Sequence, residues 1–347
     1  MTAGPRTAFA LPELQALEAI VERGGTHLQC ETACTTEHLG QRLPVLAITL
    51  GNPDPGVPAA GFFGGVHGLE RIGSRVVIAF LAHLVGRLAW DATLHQQLEH
   101  VRLVFMPIVN PGGMARGTRA NPAGVDLMRN APVDARDPVP FLLAGQRLSA
   151  GLPWYRGPAG APLQPESAAL CSRVERELLG RRMALALDCH SGFGTRDRIW
   201  FPFAHRRAPI AALPELHALH AIFAGSHEHH PYVFEPQSAQ YLTHGDLWDH
   251  LVLRAAAVPG VFLPLTLEMG SWLWVKKNPR QLFSRQGVFN PLVAHREQRV
   301  LRRHLPLLDF IMRAAASHAS WLPAREEDRE AHRQAALARW YAGGRVQ

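Results

Sequence analysis

The chain has 347 residues, 47% hydrophobic and 19% charged, with a formal net charge of +7. Such a composition excludes a disordered or coiled-coil chain and is enough to bury one large core or two small ones. The basic residues are scattered, densest at Arg325, Arg329, Arg333, Arg339 and Arg345, and no nucleic-acid-binding signature accompanies them, so no nucleic-acid partner is expected.

No run of about 18 purely apolar residues suggests a transmembrane helix, so no membrane partner is expected. The N-terminus is interrupted by Pro5, Pro12, Glu13 and Glu18 and lacks the succession of a signal peptide, which reads as a cytoplasmic chain. Four cysteines, Cys30, Cys34, Cys171 and Cys189, are too few for a disulfide framework at this length. His27, Cys30, Cys34 and His38 invite a structural zinc site, but the spacing is no zinc knuckle. Two cysteines on the apolar face of a strand are the expectation there.

In chain order, Leu11 to Arg23 carries apolar residues at helical spacing and stops at Gly24-Gly25. His27 to Thr36 and Leu43 to Leu50 read as a hairpin turning near Gly40, and Ala59 to Val66 as a short buried strand. Arg71 to Leu88 is predicted helical, and Val101 to Ile108 is a further strand. From Asn110 to about Pro165 Gly, Pro, Arg and Asn dominate, a long excursion of the kind that is usually functional or disordered. A helix over Pro165 to Leu179, strands over Met183 to Cys189 and Val261 to Leu267, and helices over Asn290 to Ala316 and Glu326 to Tyr341 complete the prediction. Strands alternating with helices imply an α/β fold: a mixed, largely parallel central β-sheet with helices on both faces.

Three places carry chemistry. In GGVHGLERIG, His67 and Glu70 stand where a strand passes into a helix, and an imidazole and a carboxylate three residues apart can reach one ion. In LALDCHSGFG, His190 ends a buried strand and is followed by small residues. In VFLPLTLEMG, Glu268 is a lone acid at the end of an apolar strand, a costly placement unless the carboxylate is paired or faces a site. Ordinary alternatives stand beside each: a helix cap for the His67–Glu70 pair, a satisfied core histidine for His190, and a salt bridge for Glu268. His227, His229 and His230 form a polar cluster to which no buried strand leads.

The order HGLE, NPGG (Asn110–Gly113), TRANPAGVDLMRN (Thr118–Asn130), DCHSG (Asp188–Gly192) and TLEMG (Thr266–Gly270) resembles the zinc carboxypeptidase family, over residues 45 to 275. Locally it is most similar to bacterial murein peptide amidase-like members. The resemblance implies one zinc-hydrolase domain over 1–347. Within it, 1–42 form an N-terminal helix and strand, 43–318 the catalytic core and 319–347 a C-terminal helical extension. It also implies one Zn2+ per chain held by His67, Glu70 and His190, with Glu268 as the general base that activates the zinc-bound water. Arg119 then polarises the scissile carbonyl, with Arg116 as its substitute, and Arg129 grips the substrate carboxylate beside Asn130. The implied substrate is a peptide, or an acyl amino acid, with a free carboxylate, cleaved at a C-terminal or isopeptide-like amide.

Departures from the family pattern are plain. Met128 stands where the family has an asparagine that helps bind the carboxylate, Ala131 replaces an aromatic residue, and Gly112 replaces an aspartate. Tyr241 and His250 both lie in the region of the tyrosine that closes over substrate. Two other readings remain open. One is an N-acyl amino acid deacylase of the succinylglutamate desuccinylase/aspartoacylase kind; the other is a catalytically silent binding protein.

Overall fold

The computed structural model describes residues 11–342; Pro5 and Arg345 of the sequence reading lie outside them. Eight strands form one sheet: β1 (Gln29–His38), β2 (Gln41–Gly51), β3 (Ala59–Gly64), β4 (Arg102–Met106), β5 (Met183–Ser191), β6 (Arg198–Phe201), β7 (Val233–Pro236) and β8 (Val261–Met269). Their spatial order is β1-β2-β4-β3-β5-β8-β6-β7. The central run β4-β3-β5-β8 is parallel, while β1, β2 and β6 join it by antiparallel pairing.

Described helices are α1 (Pro12–Gly24), α2 (Arg71–Arg87), α3 (Ala92–Glu99), α4 (Pro111–Arg116), α5 (Pro165–Glu177), α6 (Leu213–Ser226), α7 (Leu247–Ala255), α8 (Trp272–Lys277), α9 (Ala294–Ala316) and α10 (Glu326–Ala336). The strand alternation sorts the core into two layers. Phe62, Phe105, Leu185, Leu187 and Leu265 pack on one face against residues of α1, α2 and α9. Phe63, Val104, Met106, Ala184 and Ala186 pack on the other against Leu170, Val174, Leu247, Trp248 and Leu251 of α5 and α7. No single helix among the described residues is long and apolar enough to cross a membrane; the α2–α3 pair that reaches the length is bent by 113°.

This topology sets where a site can form. From β3 the chain moves outward to β4 on one side and later returns to add β5 on the other, so β3 is a switch point. Crevices at the carboxyl ends of such strands are where open α/β sheets bind ligands.

Several boundaries shift for physical reasons. The second-last helix begins at Ala294, not Asn290, because Pro291 disfavours helical geometry at the residue before it. Asn290 instead accepts from Ile72 N at 2.9 Å and donates to Leu69 O at 2.8 Å, closing the start of α2. The last helix passes into a π turn at Leu337–Tyr341. The four-residue strands β6 and β7 were too short to show a period, and α6 is too uniformly apolar. Cys30 and Cys34 do lie on a strand, but on the edge strand β1, where Cys30 is exposed rather than on an apolar face; both thiols are free.

Phe62 is fully buried between Phe80, at a ring distance of 4.9 Å, and Phe105, at 5.2 Å. Phe62→Ala is expected to destabilise the protein by about 3–5 kcal/mol, read as a lower urea midpoint; a shift near zero would mean that this layer is not tightly packed.

Candidate metal centre and cavity

His67 and Glu70 lie in the short turn between β3 and α2, and this turn is squeezed against α4. A Cβ on Gly68 would stand 2.0 Å from the Gly113 carbonyl carbon, and one on Gly112 would stand 2.4 Å from Pro122 Cγ. The second contact explains the glycine in NPGG, since an aspartate has no room there. His190 lies inside β5, directly paired in register with Glu268 of β8. Both occupy the sheet face that α7 covers, two residues beyond Asp188 and Thr266 respectively.

The three expected ligands converge. His67 Nδ1 is 2.9 Å from Glu70 Oε1, and His190 Nδ1 is 3.1 Å from Glu70 Oε2 and 3.2 Å from His67 Nδ1. Donors bound to one tetrahedral ion at about 2.0–2.1 Å would stand about 3.3 Å apart, so these spacings suit zinc. His67, Glu70 and His190 are the group of potential metal ligands found among the described residues, and all three are buried.

The far side of each imidazole is held by a carboxylate. His67 Nε2 meets Asp126 Oδ1 at 3.1 Å, and His190 Nε2 meets Asp188 Oδ2 at 2.7 Å. Such partners fix the proton on Nε2 and turn the Nδ1 lone pair forward, toward the shared point. Two lone pairs and a carboxylate facing one another demand a cation. The electrostatics agree: burial opposes charge on His190, yet Asp188 and Glu70 outweigh it and hold the imidazole well above its usual range. Burial likewise opposes ionisation of Glu70, but His67 and His190 keep it below the ordinary carboxylate range.

Asp126 has three tasks. It accepts from Met128 N, faces His67, and accepts Arg119 Nε at 2.7 Å. Burial would raise it, but Arg119 and His67 hold it well below its usual value. Arg119 also reaches Glu70 Oε1 at 3.3 Å.

A cavity of about 480 Å³ opens from this centre and contains His67, Glu70, Arg119, Met128, Arg129, His190, Tyr241, Asp246 and Glu268 among its lining. Glu268 accepts from Phe193 N at 2.9 Å, and its carboxyl is pushed up to about 8 by burial and by the nearby Glu70 charge. Arg129, 4% exposed, donates Nη1 to Met128 O at 3.3 Å and leaves Nε without a partner.

Not every expected site residue is at the cavity. Arg116 is exposed and donates to Pro122 O, and Asn130 bridges Arg156 O and Gln164 N. Tyr241 lines the cavity with the Arg129 guanidinium 6.0 Å from its ring, whereas His250 sits on α7 away from the lining. His227 and His230 stack on Phe223 and Tyr232, away from the centre. The sequence reading missed Asp126 and Asp188 as imidazole partners. A two-residue offset on one strand face was the available signal for Asp188.

A family model for zinc carboxypeptidases matches residues 14–255. Solved structures with the same fold include carboxypeptidase A from Helicoverpa armigera, 19% identical with a TM-score of 0.62, covering 88% of this chain and 72% of that one. Bovine thrombin-activatable fibrinolysis inhibitor, in complex with tick carboxypeptidase inhibitor, is 17% identical at a TM-score of 0.61, covering 88% and 95%. A metallo-carboxypeptidase from Burkholderia cenocepacia is 15% identical at 0.54, covering 89% and 68%.

Protein purified without added metal is expected to carry one zinc per chain, lost in His67→Ala. Asp188→Asn is expected to weaken zinc affinity by about 10–100-fold, measured by competition with a chelating dye. Unchanged affinity would reduce Asp188 to a packing role beneath Trp248, whose Nε1 it accepts at 2.9 Å.

Proposed function

The chain belongs to the zinc carboxypeptidase family, and from that premise we propose that it releases the C-terminal residue of a peptide, or of an isopeptide-like amide, bearing a free carboxylate. The observation that carries this reading is one cavity lined by the His67–Glu70–His190 group, the buried guanidinium of Arg129 with its Nε unpartnered, and the carboxyl of Glu268.

His67, Glu70 and His190 would hold the ion. When bound, zinc supplies a Lewis acid and brings the pKa of water toward neutrality. The chain's own residues do the rest. Arg129 receives the chain-end carboxylate, for which its planar fork and its buried, unpartnered Nε suit it. That contact sets which amide lies over Glu268. Arg119, oriented by Asp126 and Glu70, faces the carbonyl oxygen and stabilises its developing negative charge. Glu268 takes a proton from the attacking water and delivers it to the departing amine nitrogen. Met128 in place of an amide leaves the charge of Arg129 as the main hold on the carboxylate.

The carboxyl of Glu268 must be ionised to act as a base. Burial and Glu70 raise it, and a cation in the ligand group lowers it again, so activity is lost on the acid side. kcat/KM is expected to rise with pH as Glu268 loses its proton. Glu268→Gln should cut kcat by about 10²–10⁴-fold with zinc content kept, and the acid limb should vanish from what remains. Arg129→Met is expected to lower kcat/KM by about 10–150-fold, the value of a hydrogen bond to a charged group, mainly through KM. The deciding assay incubates zinc-loaded protein with N-blocked peptides and with N-acyl amino acids and identifies products by mass. Release of a terminal amino acid from peptides supports the reading. Release of the acyl acid alone would make the protein a deacylase, and no turnover by zinc-loaded protein would favour a binding role.

A further inference from the structure

Two stretches of chain that carry no acid wall the mouth of the cavity. The outer wall between Asp137 and Glu166 has no Asp or Glu, and neither has the stretch between Glu268 and Glu297. Pro140, Leu143, Pro153 and Trp154 of the first line the cavity, and so does Phe289 of the second. Trp272 joins the second stretch to the rim, because its Nε1 donates at 3.1 Å to the carbonyl of Gly192, itself a lining residue.

These stretches also hold most of the apolar surface that the fold leaves in water. Of the twelve large apolar side chains strongly exposed among the described residues, eight lie in them. The first stretch has Phe141, Leu143, Leu148 and Leu152; the second has Trp272, Leu282, Leu292 and Phe283, the last 94% exposed. Single exposed apolar residues are ordinary, but a concentration around one opening marks an interaction surface. Loose chain does not explain it. Buried Gln281 donates Nε2 to Gly287 O at 2.7 Å and to Asn290 O at 3.1 Å, pinning the loop that carries Leu282 and Phe283. Gln146 holds Leu148 N and Leu152 O in the same way.

The charge beside this surface has one sign. The chain's two lysines, Lys276 and Lys277, both stand here with Arg280 and Arg285. All four are exposed, and none is in an ion pair among the described residues. Lys276 follows Trp272 by four residues, on the same side of α8. Aromatic and leucine side chains next to unpaired cations match a surface that is apolar just beneath a layer of negative charge.

We infer that the rim of the cavity docks on an anionic lipid bilayer, with Leu282 and Phe283 entering the acyl boundary and the four cations meeting the headgroups. Two other occupants match it less well. A soluble acidic chain pairs the cations but leaves Phe141 and Phe283 in water. A second copy on a two-fold axis presses the same unpaired cations against one another. Peripheral docking needs no spanning helix, so it departs from the expectation of no membrane partner, which rested on the lack of a long apolar run. It goes beyond the carboxypeptidase reading and does not depend on it, since it concerns the rim and not the catalytic groups.

The test sediments full-length, zinc-loaded protein with vesicles of phosphatidylcholine, alone or mixed equally with phosphatidylserine, in the absence of substrate. Wild type is expected to bind the anionic vesicles at least about 10-fold more tightly than the neutral ones, and less tightly as salt rises. Phe283→Ser, and separately Lys277→Glu with Arg280→Glu, should each weaken that binding about 10-fold. Trp90→Ser, at an exposed residue outside both stretches, should not. Anionic vesicles should also protect Lys276 and Lys277, the chain's two lysines, from an amine-acylating reagent. No vesicle binding, equal binding to both vesicles, or equal loss in Trp90→Ser and Phe283→Ser overturns the inference. Vesicle binding that leaves both lysines fully reactive overturns it as well. A dimer seen by light scattering and abolished by Phe283→Ser overturns it in favour of a second copy. Tight binding of soluble polyglutamate, weakened by Phe283→Ser, overturns it in favour of an acidic chain. Should the variants fail to fold, lysine protection in the wild type decides, and peptide cleavage separately decides the carboxypeptidase reading.

Discussion

Two imidazole nitrogens 3.2 Å apart, with a carboxylate closing the triangle, form an arrangement that a protein cannot hold cheaply. Asp126 and Asp188 turn both rings so that their lone pairs face inward, and the resulting concentration of negative charge is relieved by a cation. The surrounding fold holds these donors in place. The parallel strands β3, β5 and β8 end side by side, Gly68 lies against Gly113, and Asn290 ties Leu69 and Ile72 together. Glu13 of α1 binds both Arg71 and Arg75, so even the N-terminal helix steadies the segment that follows Glu70.

Charge in the cavity is divided by partner. Arg119 is held by Asp126 through Nε and by Glu70 through Nη1, which fixes its direction. Arg129 donates Nη1 to a backbone carbonyl and leaves Nε without a partner, while its charge also acts on Asp126 and Asp246. Glu268 accepts only from the Phe193 backbone, and burial and the Glu70 charge push its carboxyl up to about 8, in the range in which it can both take and return a proton.

The excursion between Asn130 and Pro165 supplies the outer walls, Leu143, Pro153 and Trp154, with little regular structure. Buried side chains order it instead. Gln146 Nε2 donates to Ser149 O at 2.8 Å and to Leu152 O at 3.2 Å, while Arg156 donates to Arg129 O, Asp134 and Val133 O. A loop held this way can be shaped by the cavity it walls, because its backbone is free of ladder geometry.

Local information was enough for β1–β5 and β8 and for α1, α2, α5, α9 and α10, since helical spacing and short apolar runs are written residue by residue, but not for β6, β7, α3, α4 and α6 to α8. A turn after a strand and a lone acid on an apolar strand are visible along the chain and pointed to His67, Glu70, His190 and Glu268, whereas Arg119 and Arg129 rested on the family resemblance alone. Only the tertiary structure separated Tyr241 from His250, moved Arg116 and Asn130 away from the cavity, and exposed Cys30. It alone joined Asp126 to His67 across 59 positions and left Asp246 Oδ2 without a donor. The reason is physical: periodicity and turn chemistry act between near neighbours, whereas partnership and burial depend on which distant segments the folded sheet brings together.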